Sequence, residues 1–301
     1  MKLLITGASG MVGTELKKFL SSAYTPSSSD LDLTSATKVR EYLFDEKFNY
    51  VIHLAAYVGS LHDNIENRTL YFDKNIIMNT FLTKYAYESG VKNFLGILST
   101  CIYPDNISSF PIHEDRLHDG APHKDLMSYA YAKRSHAVQI QAYKDSYGLN
   151  YNYLVPCNLY GKVAKSHENR SHFVNDLIFK IIKAQNKGDN HITLFGDGTP
   201  MRQFMHAEDF AKIISIYFQN DLKTSFNVAP NMNMSVNDIA RVALEACDAK
   251  QFKILYDDSK PNGQIRKDVD TTHFENIYQE FKFKTLHDGI SEIYKFYKGN
   301  Q

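Results

Sequence analysis

The sequence predicts an α/β fold built on a doubly wound parallel sheet. Three observations carry this. Short apolar runs alternate with longer stretches of helical period through the first half of the chain. A glycine-rich turn separates the first apolar run from the first helical stretch. After Gly161 the alternation loosens, which marks a smaller second unit.

Taken in order, residues 2–5 read as a buried strand and residues 11–20 as the helix that follows it. Residues 50–54 and 93–98 are further strands, and residues 152–155 another. Residues 73–87 and 128–147 have helical period. Residues 162–170 are polar without period, as a surface or lid loop is. Beyond them, residues 172–185 read as helix and residues 192–195 as a strand closing in a Gly196-Asp197-Gly198 turn. A second turn stands at Pro261-Asn262-Gly263. The expected division is a nucleotide-binding domain over residues 1–161, rejoined by a segment near residues 200–230. Residues 162–301 would form an interleaved substrate domain.

Composition narrows the class. The chain has 301 residues, and 34 Lys+Arg balance 34 Asp+Glu, so no nucleic-acid or acidic-membrane partner is expected. No apolar run reaches the roughly 18 residues of a spanning helix. The Leu3-Leu4-Ile5 run stops at Thr6-Gly7, too short for the core of a signal peptide. Cys101, Cys157 and Cys247 are too few for a disulfide framework and read as reduced thiols in a cytoplasmic protein. No metal is expected.

The glycine turn reads Thr6-Gly7-Ala8-Ser9-Gly10-Met11-Val12-Gly13. Gly7 permits the tight turn, Gly10 lets backbone approach a pyrophosphate, and Gly13 lets helix pack on strand. The N–H groups of Ser9, Met11, Val12 and their neighbours open the helix toward phosphate oxygens. This is the dinucleotide site of a Rossmann-type sheet. Pro26-Ser27-Ser28-Ser29-Asp30-Leu31-Asp32 lies where an acidic residue would hold an NAD ribose. Ser28 and its neighbours could instead bond a 2′-phosphate, so NADPH is favoured over NADH. No Arg stands there to pair with that phosphate. Asp30 and Asp32 sit near the adenine or face water.

Ser99 follows a strand at the carboxyl edge, where open α/β sheets bind ligands. Tyr129 and Lys133 are i and i+4 on one helix face. A carbonyl that receives hydride becomes an alkoxide and needs a proton. A nearby ammonium should bring the Tyr129 hydroxyl closer to working pH, and Ser99 can bond the same oxygen. Lys133 can also hold the cofactor ribose. Tyr131 points elsewhere and is structural.

These segments together resemble the extended short-chain dehydrogenase/reductase family, and within it the GDP-L-fucose synthase branch. The resemblance is carried by the glycine turn, His53-Leu54-Ala55-Ala56-Tyr57-Val58-Gly59, Leu98-Ser99-Thr100-Cys101-Ile102-Tyr103-Pro104, Tyr129 to Arg134, Asn158-Leu159-Tyr160-Gly161, Gly196 to Phe204, and Ser259 to Gly263. It implies C3 and C5 epimerisation by Cys101 and His172 as base and acid, then C4 reduction by hydride from NADPH. It places Ala55 at the cofactor. It implies substrate contacts at Thr100, Asn158, Lys180, Phe195, Arg202 and Lys260, with Lys180 replacing an Arg and Phe195 a Trp. It also implies a homodimer through the helices at residues 73–87 and 128–147.

The run Lys162 to Arg170 departs from the branch, so His167 competes with His172, and the sugar stays open between that of the fucose branch and a related one such as colitose or a 6-deoxy-heptose. A C4 reductase without epimerisation is the alternative reading. A non-catalytic dinucleotide sensor would not need Ser99, Tyr129 and Lys133 together. A nucleotide-sugar epimerase with tightly held NAD would not need Cys101.

Overall fold

The computed structural model describes residues 1–163, 173–260 and 262–299. Strand β1 (Leu3–Thr6) is buried along its whole length. It leads through the glycine turn into helix α1 (Met11–Phe19), and Tyr24 then returns as an isolated parallel bridge to Leu4. Helix α2 (Ala36–Glu46) starts where the Ser35 side chain accepts from Lys38 N. Strand β2 (Tyr50–His53) pairs parallel on the other edge of β1, Leu3 opposite Tyr50.

Two helices follow, α3 (Leu61–Glu66) and α4 (Arg68–Glu88). Strand β3 (Asn93–Ile97), helix α5 (Met127–Tyr147) and strand β4 (Asn150–Pro156) complete the first half. The chain thus lays strands to both sides of β1, and the reversal opens a crevice at its carboxyl end.

Past β4 come β5 (Asn158–Tyr160), α6 (Phe173–Lys187), β6 (His191–Phe195), β7 (Met201–Arg202) and β8 (Phe204–His206). Helix α7 (Ala207–Gln219) packs on α1, and β9 (Phe226–Val228) joins β4 to make the sheet order β1-β2-β3-β4-β9, parallel throughout. The remaining elements are β10 (Met234–Ser235), α8 (Val236–Ala246), β11 (Lys253–Asp257), α9 (Thr272–Ile277) and α10 (Leu286–Gly299). Strand β11 pairs parallel with β6, β8 with β5, and β10 antiparallel with β7.

Apolar burial divides accordingly. One core fills the α1, α7 and α9 side of the sheet, with Ile5, Leu16, Phe210, Phe226 and Phe274. Another fills the α2, α4 and α5 side, with Leu4, Val39, Leu82 and Ile140. A third lies apart from the sheet, where Ile178 and Ile181 of α6, Ala243 of α8 and Ile290 of α10 meet.

Candidate active site

A cleft of about 660 Å³ runs over the carboxyl ends of β1, β2, β3 and β4. Its floor is the glycine turn. Gly7 has φ +74°, and a Cβ there would stand 2.5 Å from the Ala55 nitrogen. A Cβ on Gly13 would stand 2.4 Å from the Gly7 oxygen, so α1 could not pack this close to the turn with any other residue. The N-terminus of α1 has no side-chain cap, which leaves the leading N–H groups and the positive helix end for an anion. Those features fit a dinucleotide pyrophosphate.

Of the expected residues, Gly7, Ser9, Gly10, Met11, Val12, Gly13, Ser28, Ala55, Ser99, Tyr129, Lys133 and Asn158 all line this cleft. The Ala55–Val58 wall is pinned from below. Asn75 of α4, fully buried, accepts from Tyr57 N and donates to Tyr57 O, each at 2.9 Å. His53 links β2 to β1 through Thr6 at 2.7 Å and to α4 through Asn79 at 3.0 Å. Burial beside Lys133 keeps this imidazole neutral, its pKa pushed down to about 3.

At the catalytic end, α5 presents Tyr129 and Lys133 to the cleft on one face. Tyr131 turns outward beneath the Arg134 guanidinium, 5.3 Å from its ring. Lys133 is 1% exposed and donates to the Ile97 carbonyl at 2.8 Å. The electrostatics correct the sequence-based expectation. Burial, with Cys101 and Tyr71 adding to it, holds the Tyr129 hydroxyl well above its ordinary pKa. Burial likewise brings the Lys133 ammonium down to about 8. Desolvation is the leading cause for both groups, and it penalises both charged forms.

Cys101 sits in a 3₁₀ turn (Thr100–Ile102) directly after β3, where its N–H meets the Ser99 Oγ at 3.5 Å. It is 6% exposed and lies behind the cleft wall rather than in it, as does Thr100. Burial raises its thiol pKa, opposed by Ser99, Lys267 and Lys133 in that order. A thiol depressed in the resting protein is therefore not what the fold provides.

Sequence reasoning missed Lys267. Its ammonium is buried near Arg202, Cys101 and Cys157 and is pushed down to about 8 by burial first and by Arg202 second. Nothing in the Arg266-Lys267-Asp268 run signals this. Only the return of the chain between α8 and α9 brings it beside β3. Lys74 was missed for the same reason: α4 carries it to the cleft from far along the chain.

The expected substrate residues fall into two groups. Phe195, 58% exposed, has Lys180 Nζ 4.9 Å from its ring centroid and Lys260 Nζ 6.0 Å away. Lys180 also pairs with Asp176 at 3.0 Å. Arg202 donates to the Met201 carbonyl at 2.8 Å, and burial brings its pKa down to about 10. Asn158 lines the cleft and donates to the Gln203 carbonyl at 3.1 Å. His172 and His167 lie outside the described residues.

A glycine-floored nucleotide cleft ending in a Ser, Tyr and Lys set defines a dinucleotide-dependent enzyme of the α/β class. The chain belongs to the NAD dependent epimerase/dehydratase family, whose pattern matches residues 3–229. It is 32% identical over 308 residues to the GDP-L-fucose synthase of Dictyostelium discoideum, covering 99% of this chain and 95% of that one. It is 33% identical over 307 residues to the GDP-L-colitose synthase of Yersinia pseudotuberculosis, covering 99% and 98%. The crystal structure of a GDP-L-fucose synthetase from Naegleria fowleri bound to NADP superposes with a TM-score of 0.87, at 26% identity over 99% of this chain and 94% of that one.

Proposed function

We propose that this chain is an NADPH-dependent epimerase/reductase of the GDP-L-fucose synthase kind, acting on a GDP-4-keto-6-deoxy sugar. The observation that carries this reading is the grouping of Cys101 with Ser99, Tyr129 and Lys133 at the end of β3. Bound NADPH supplies the hydride to C4. Tyr129 holds its proton tightly in the resting site and gives it up to the more basic alkoxide oxygen as that charge forms. Ser99 donates a hydrogen bond to the same oxygen, and Lys133 holds the ribose and steadies the phenolate left behind.

Before reduction, the C3 and C5 protons are acidic because the 4-keto group delocalises the carbanion. Cys101, next to the cleft-lining Ser99, is the base in this reading; its buried thiol must lose its proton when substrate binds, which Lys267 and Lys133 favour, and His172 returns protons on the opposite face. The relatives named for GDP-sugars support a guanine nucleotide. Phe195 offers its open face to the base between Lys180 and Lys260. Arg202 and Asn158 serve the diphosphate and sugar, and Thr100, buried beside Ser99, would reach the sugar only with a shift of the turn that carries it.

Residues 1–161 and the returning segment with α7 and β9 form the cofactor domain, and the rest mainly the substrate domain. Three buried free cysteines suit the cytoplasm. No described helix is long and apolar enough to cross a membrane. An apolar stripe on α5 supports a homodimer.

The test is NMR of the product formed from GDP-4-keto-6-deoxymannose and NADPH in heavy water. Reduced product with deuterium at C3 and C5 is expected. Reduced product without deuterium would leave the C4 reductase alternative, for which Cys101 has no task.

A further inference from the structure

The cleft has two ends of different charge. At one end lies Lys133, which donates to the Ile97 carbonyl. At the other, beside the edge where Tyr24 bridges β1, lie Pro26, Ser27, Ser28, Leu31 and Asp32. An NADPH adenosine phosphate must sit at this second end, where the sequence offers no arginine.

Three local arrangements prepare that end. Ser27 donates through N at 2.9 Å and through Oγ at 2.7 Å to Asp30 Oδ2, so the Asp30 charge is turned onto its own turn and does not line the cleft. Asp32 does line it, but one carboxylate oxygen is taken by Thr34, which donates from N at 2.9 Å and from Oγ1 at 2.7 Å. Ser28 lines the cleft with no hydrogen bond of its own among the described residues, so its hydroxyl is available.

Lys74 faces this group from α4. It lines the same cleft, makes no ion pair within 4 Å among the described residues, and with Lys38 supplies positive potential at Asp32. Its chain neighbour Asn75 is the buried residue that clamps both backbone groups of Tyr57, which fixes this turn of α4 against the cleft wall.

The charges decide what the end accepts. Asp32 alone would repel a phosphate and hold a ribose hydroxyl, the arrangement that suits NADH. Lys74 offsets that carboxylate and adds a donor that a phosphate dianion can use. We propose that Lys74, together with the Ser28 hydroxyl, binds the 2′-phosphate of NADPH and sets the preference for the phosphorylated cofactor. This rests on the NADPH reading above.

The test is equilibrium binding to the full chain without sugar substrate, read by the fluorescence of the reduced nicotinamide. Wild type should bind NADPH more tightly than NADH. In Lys74→Met the Kd for NADPH should rise about 10- to 100-fold, as loss of a charged hydrogen bond implies. The Kd for NADH should stay within about twofold. Lys74→Arg should keep most of the NADPH affinity. Equal weakening of both cofactors would overturn the proposal, because Lys74 would then act on a shared part of the dinucleotide or on the fold. Unchanged NADPH binding in Lys74→Met would overturn it alone. A wild type that binds both cofactors alike would overturn the NADPH reading with it.

Discussion

Burial sets the proton affinities around Ser99, and each catalytic group feels it differently. The Tyr129 and Cys101 acids are held protonated, while the Lys133 and Lys267 cations are brought down to about 8. For the two lysines the folded pKa lies below the ordinary 10.5. Between about pH 8 and 10.5 the folded chain therefore binds fewer protons there than the unfolded chain. Their burial opposes folding at neutral pH, and this opposition fades as pH rises through that window. Lys267 is the leading cation acting on Cys101. Replacing it by Met should raise the Cys101 pKa further, which slows alkylation of that thiol at pH 7. Iodoacetamide labelling followed by peptide mass mapping separates Cys101 from Cys157 and Cys247. An unchanged rate would show that Lys267 does not act on this thiol. The Tyr129 and Lys133 pair was legible in sequence because i and i+4 residues share a helix face wherever the helix lies. Lys267 and Lys74 were not, because their partners are set by tertiary return of the chain.

At the scale of elements, the helices that sequence showed least clearly have starts that apolar period does not mark. Helix α4 begins at Arg68, ahead of the expected residue 73, without a side-chain cap of its own, while the Asn67 side chain ties back to Asp63 of α3. Helix α2 buries only Val39 and Leu43, too few apolar positions to register as a stripe, and starts on the Ser35 cap. Strands β1 to β4 were legible because each contains a short, largely buried apolar run, whereas β9, three residues with Asn227 at its centre, was not read as a strand. The junction between β5 and α6 depends on one side chain. Asn175, 1% exposed, donates to the Gly161 carbonyl at 2.7 Å and accepts from its N–H at 3.4 Å. Asn175→Leu keeps the branched outline of the side chain and leaves both buried backbone groups unpaired. Each such group costs about 1–3 kcal/mol, so a loss of about 2–4 kcal/mol is expected in urea unfolding. A loss below about 1 kcal/mol would mean that Gly161 finds other partners.

At the scale of the whole molecule, the sheet is covered on both faces, and one of the exposed apolar features among the described residues is a stripe on α5. Met127, Tyr131 and Val138 are 40%, 37% and 51% exposed and fall within one narrow sector, at spacings of four and seven residues. Phe72 of α4 is 39% exposed, and Gln139 ties α5 to α4 through the Thr80 carbonyl at 3.3 Å, so the two helices present one surface. A two-fold pairing of this surface would set α4 and α5 against their copies, burying the stripe in the isologous contact typical of homodimers. Light scattering at micromolar concentration should then give twice the chain mass of 34.5 kDa. Val138→Lys places a charge in the centre of that contact while adding nothing unfavourable to an isolated chain, where the position is half open to water. It should bring the mass down to one chain with the thermal midpoint of cofactor-bound protein largely retained. A wild type already at one chain mass would remove the dimer, and a dimeric Val138→Lys would move the interface to another face.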